Sequence, residues 1–147
     1  MKMIVTILMS VIFSINIFST EPVKIVNFSN TEWVSIYNEN GIEITYKVSK
    51  CSVGCNHTLQ EYILVKINNS NNQNIKLDFD ISVVYGENGN MIAKSNHKSI
   101  TMSNNQTIEG ICDNTQSSNK LKISKIYKKN DSGATLSEVS LSNIIIE

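Results

Sequence analysis

Three cysteines, two histidines and a pair of spaced aspartates are the residues of this 147-residue chain with the most specific chemistry to offer. Cys51, Cys55 and His57 are neighbours in the sequence, and Cys112 lies well downstream. With Cys112 folded beside them, they would supply three sulfurs and one imidazole nitrogen, a soft set suited to zinc or copper(I). The gap between Cys51 and Cys55 is wider than the two-residue gap of common zinc knuckles, and only one segment holds a cysteine pair. A disulfide is the competing use: three thiols allow one bridge and leave one over. In the chain-entropy model a Cys51–Cys112 bridge closes a loop of about 60 residues and is worth roughly 4 kcal/mol, against roughly 2 kcal/mol for Cys51–Cys55. The expected order is Cys51–Cys112, then Cys55–Cys112, then Cys51–Cys55. The metal set Cys51, Cys55, His57 and Cys112 stands as the alternative.

The other candidates each have a plain structural explanation. Asp78 and Asp80 are two apart on a predicted strand, so their carboxylates emerge on one face about 7 Å apart. That spacing could serve acid/base work or a cation, but a solvated strand face accounts for both. His57 follows Cys55, and His97 sits in the polar stretch 95–98; both read as solvated loop histidines. No serine lies in a motif that would build a hydrolytic triad around either of them, so no catalytic residue is assigned. Trp33 and Tyr37 alternate onto one face of a short strand, with Val34 and Ile36 on the other. They form either packing or an exposed aromatic platform for sugars or partner proteins. Five Asn-x-Ser/Thr sequons, at Asn27, Asn56, Asn68, Asn105 and Asn130, are about what so Asn-rich a chain contains by chance.

Period-two alternation is the dominant pattern of the elements that must position these residues. Ile42, Ile44, Tyr46 and Val48 alternate with polar residues, as do Ile75, Leu77, Phe79, Ile81, Val83 and Tyr85. Residues 59–67 carry Ile63, Val65 and Ile67 on one face. Shorter strands are expected over 23–28, 33–37, 99–102, 106–111, 121–127 and 139–146. No segment keeps a 3.6-residue period, so little or no helix is expected. Turn chemistry punctuates the strands: Asn40-Gly41 and Asn88-Gly89 tolerate the positive φ of tight hairpins, and residues 68–74 are an Asn-rich loop. About eight antiparallel strands at roughly ten-residue spacing predict an all-β, immunoglobulin-like sandwich, with a small barrel as runner-up.

Residues 1–20 read as a signal peptide: Lys2, an apolar stretch over 3–18, then Ser19 and Thr20 before Glu21. The stretch is shorter and more interrupted than the roughly 20 apolar residues of a spanning helix, although a retained anchor is the alternative. Residues 21–147 then form a single mature domain, exported to the periplasm or beyond and off the membrane after cleavage. All thirteen cationic residues are lysine, and loss of Lys2 leaves twelve against thirteen acids. A near-neutral chain without arginine argues against nucleic-acid binding.

Residues 61–69 and 75–81 resemble the strand, Asn-rich turn, strand element of Ig-like domains in secreted bacterial proteins. With Cys51 and the Ile108-Glu109-Gly110-Ile111-Cys112 segment, the mature chain is similar to small secreted bacterial Ig-like β-sandwich proteins. The resemblance implies a fold and a compartment and carries over no catalytic residue. The sequence therefore predicts a non-catalytic binding or interaction module with a protein or carbohydrate partner and no cofactor. A zinc or copper protein is the alternative, and an enzyme of unrecognised type the third class.

Overall fold

The computed structural model describes residues 21–25, 27–53, 58–87, 90–113, 121–129 and 132–147. Signal-like residues 1–20 and two of the chemical candidates, Cys55 and His57, lie outside the described residues, as do Asn56, Asn130 and the Asn88-Gly89 turn. Among the described residues there are ten strands: β1 (Val23–Ile25), β2 (Val34–Glu39), β3 (Ile42–Val53), β4 (Thr58–Asn69), β5 (Ile75–Glu87), β6 (Asn90–Met102), β7 (Thr107–Glu109), β8 (Lys122–Ser124), β9 (Ile126–Lys129) and β10 (Ser132–Ile146). No α-helix occurs among the described residues.

The strands form two antiparallel sheets packed as a sandwich. The first runs β1-β10-β5-β6, with β9 paired to β10; the second runs β2-β3-β4-β7, with β8 paired to β4. The alternation that predicted the strands also fixes their faces. Leu77, Phe79, Ile81 and Val83 of β5 meet Ile44, Tyr46, Ile63 and Val65 of β3 and β4 in one core, joined by Leu136, Val139 and Leu141 of β10. Burying each such side chain contributes about 1.5–3 kcal/mol. Tyr46 carries its hydroxyl to the core margin, where it donates to the Asn27 carbonyl at 2.8 Å and accepts from the Asn30 amide.

Asparagine does structural work in the turns. Asn40 and Gly41 take φ of 51° and 73°, the left-handed pair that a β2–β3 hairpin needs. A Cβ at Gly41 would also collide with the side chain of Asn71, which donates to the Asn40 carbonyl at 2.9 Å. Asn69 is fully buried at the end of β4 and ties three segments together. Its amide donates to the carbonyls of Gln73 and Ser103, and its oxygen accepts from the Asn71 backbone N–H.

Several of the expected strands change extent. The 99–102 strand is the end of β6, which extends back to Asn90. The 121–127 strand breaks into β8 and β9 at Lys125, and the 106–111 strand shortens to β7. The first part of β6 was invisible to the apolar pattern because Lys94, Asn96 and Lys98 occupy its core-side positions, opposite Val83, Ile81 and Phe79.

Candidate functional site

Cys51 and Cys112 are joined in a disulfide, with Cα atoms 5.1 Å apart. Cys51 sits near the end of β3 and is buried, and Cys112 follows β7. The bridge thus pins the chain leaving β7 to the far end of β3. Gly110 N–H donating to the Val65 carbonyl at 2.8 Å holds the same connection. This bears on the metal alternative built on Cys51, Cys55, His57 and Cys112, of which Cys55 and His57 lie outside the described residues. Two of its four ligands are consumed as a disulfide, and a bridged sulfur is no thiolate ligand. Among the described residues no group of three His, Cys, Asp or Glu side chains is placed to hold a metal.

A β-bulge decides the aromatic candidates. Near the hairpin Tyr37 pairs with Ile44, but further along Val34 pairs with Tyr46, so one extra residue lies between Ser35 and Tyr37. The extra residue reverses the alternation. Tyr37 therefore packs against the core with Val34 and Ile36, where burial, then the nearby Glu39, raises its hydroxyl pKa. Trp33 turns to the outer face of the second sheet. The expectation that Trp33 and Tyr37 share a face is corrected by that bulge, which no spacing rule reveals.

On the outer face Trp33 lies among cations. The ammonium groups of Lys47 and Lys66 are each 4.3 Å from its ring centroid. Both lysines belong to outward positions, since Tyr46, Val48, Val65 and Ile67 beside them are buried. Lys47 also approaches Glu109 at 3.9 Å. Along the same face, Lys122 Nζ lies 4.4 Å from the Tyr62 ring and donates to the Cys112 carbonyl at 3.2 Å. Each exposed cation–aromatic contact is worth about 0.5–1 kcal/mol. Thr45, in register between Ser35 and Lys66, is buried here, and its Oγ1 has no hydrogen-bond partner. Sequence reasoning missed Lys47, Lys66, Tyr62 and Lys122. Their outward positions were readable from alternation, but the meeting of Lys47 and Lys66 with Trp33 depends on the bulge.

The outer face of the first sheet holds the aspartate pair in a different setting. His97 is not in a loop: it stands on β6, opposite Asp80. Its Nδ1 is 2.9 Å from Asp80 Oδ1 and its Nε2 is 3.7 Å from Asp78 Oδ1. Lys76 Nζ donates to Asp78 Oδ2 at 2.6 Å and to Glu147 Oε2 at 3.2 Å. A second bulge, between Ser142 and Ile145, puts Asn143 at φ 52° and aims its amide at Asp80 Oδ2, 2.7 Å away. Lys76, then Ser99, hold the Asp78 carboxyl below its ordinary range, and Asn143, then His97, do the same for Asp80. Asp78 is only 8% exposed, so the expected open face is a covered network. Both ring nitrogens of His97 face carboxylates, which leaves neither turned towards a nucleophile.

Among the described residues, cavities at the margins include the following two. One of about 390 Å³ lies at the start of β4, where Leu59 and Ile126 are exposed. The other, of about 250 Å³, lies between β6 and β8.

No protein-family model and no curated protein sequence matches the chain. Among solved structures it is similar to the trimeric lipoprotein SadB of Salmonella enterica, at 12% identity and a TM-score of 0.42. The alignment covers 86% of this chain and 64% of that one, so this chain spans less than two thirds of that protein's length.

Proposed function

We propose that this chain is an extracytoplasmic, immunoglobulin-like binding module that acts without catalysis and engages an anionic partner, carbohydrate or protein, through the outer face of its second sheet. The observation that carries this reading is Trp33, turned outward by the β2 bulge with two ammonium groups 4.3 Å from its ring. A large ring supplies apolar contact at low entropic cost, and neighbouring cations select for carboxylates. Supporting the compartment are the signal-like residues 1–20 and the Cys51–Cys112 bridge, which persists in oxidising surroundings.

Immobilised polygalacturonate and polyglutamate test the reading, with a neutral glucan as control. The wild type is expected to bind at least one polyanion and not the glucan. Trp33→Ala and Lys47→Ala/Lys66→Ala are expected to lose binding while keeping the wild-type circular dichroism spectrum. Asp80→Asn, on the opposite face, is expected to bind normally. Failure on both polyanions, or undiminished binding by folded Trp33→Ala, overturns it.

A further inference from the structure

The cavity between the sheets' open edges does not include Trp33 and is built differently, although Lys122 borders both. Its floor is Ile81, Val83 and Tyr85 of β5, all at least nine-tenths buried. One wall is the row Lys94, Asn96 and Lys98 on β6, and the other is Lys122, Ile123 and Ser124 of β8. The register explains the row. Val83 faces Lys94, Ile81 faces Asn96 and Phe79 faces Lys98, so these polar side chains project to the core side of the sheet. Neither Asp nor Glu lines the cavity among the described residues.

Two of the polar groups differ in their engagement. Lys94 is anchored, its ammonium 3.8 Å from the Tyr127 ring, which in turn lies 5.5 Å from the Tyr85 ring. Tyr85 is held by its hydroxyl donating to the Ser124 carbonyl at 2.8 Å. Lys98 is half-buried and has no hydrogen-bond or ion-pair partner among the described residues. A partly exposed ammonium beside an apolar floor, with no carboxylate against it, is open to an incoming anion.

We infer that this cavity binds a small carboxylate with an apolar body, the carboxylate meeting Lys98 beside Asn96 and the body lying on Ile81, Val83 and Tyr85. The volume sits just under the roughly 300–1,000 Å³ of pockets that enclose drug-sized ligands, which sets the class as a short-chain or single-ring acid. The competing explanation is that Lys94 and Lys98 only guard β6, an edge strand, against pairing with another chain. The two explanations part on ligand binding.

Calorimetric titration of the purified protein with octanoate, octyltrimethylammonium and acetate separates them. Octanoate is expected to bind one to one and at least tenfold more tightly than either control. Lys98→Met is expected to weaken octanoate at least tenfold, and Lys98→Arg to restore it. Should Lys98→Met aggregate, Lys98→Gln carries the same expectation. Trp33→Ala is expected to bind octanoate as the wild type does, so failure of the Trp33 reading leaves this site standing. No saturable octanoate binding, equal binding of octyltrimethylammonium, or full affinity in soluble Lys98→Met or Lys98→Gln overturns the inference.

Discussion

The outer faces of the two sheets are both made of polar residues alternating with core residues, yet the two use them differently. On the first sheet Asp78, Asp80, His97, Lys76, Asn143 and Glu147 are turned onto one another, across β5, β6 and β10. On the second, Trp33 and Tyr62 lie against lysine ammonium groups, and Glu109 approaches Lys47 at 3.9 Å. A face whose charges are already paired and hydrogen-bonded has little left to offer a ligand. A face where rings lie against ammonium groups keeps both apolar area and charge for a partner. Charge count alone does not mark a binding surface; what matters is whether the charges have partners.

Breaking the disulfide has the largest expected effect on this comparison. Converting Cys51 and Cys112 to Ala removes a cross-link between residues 61 apart, and it is expected to cost about 4 kcal/mol in urea unfolding. Hydrogen exchange is expected to quicken around Gly110 and the end of β3 before the centre of β5–β10. Uniform loss of protection across both sheets would show that the bridge does not act on the second sheet in particular. Thr45→Val removes the unpartnered buried hydroxyl from the same face. It is expected to raise stability by about 1 kcal/mol, read as a higher urea midpoint; a lower midpoint contradicts it.

Acid probes the first sheet's face. Asp78 and Asp80 have lowered pKa values in the fold, so their contribution is present above the ordinary carboxylate value of 3.8 and is lost as pH falls through the folded values. Stability is expected to decline as pH drops below about 4. Asp78→Asn/Asp80→Asn is expected to flatten that decline without abolishing it, because Glu61, lowered by its hydrogen bond from Lys125, remains. An unchanged acid limb in the double variant contradicts the network. Lys24→Ala is the smallest expected change. It breaks an exposed 3.3 Å pair with Glu138 on that face and should move stability by no more than a few tenths of a kcal/mol.

The sheets were legible in the sequence because their faces obey simple alternation: Ile75 to Tyr85 reads as a half-buried strand and is one. The Asn40-Gly41 hairpin was legible from its backbone demands. What escaped detection depends on single inserted residues or on strands without apolar alternation. The β2 bulge parted Trp33 from Tyr37, and the β10 bulge delivered Asn143 to Asp80. The polar half of β6 hid His97 in what read as a loop, although it lies directly opposite Asp80. Such events change which side chains meet without changing composition or period. The favoured Cys51–Cys112 pairing was readable because loop entropy and the ends of two predicted strands pointed the same way.

Trp33 is the only tryptophan in the chain, so its indole N–H gives a single side-chain resonance from the proposed binding face, while the His97 ring reports the opposite one. Titration of the labelled protein with an oligogalacturonate or oligoglutamate, followed at both reporters, tests the central claim most directly. The account predicts that the Trp33 indole resonance moves saturably while the His97 ring resonances stay in place. Movement of His97 with a stationary Trp33 indole, or a stationary indole with both oligomers, would contradict it.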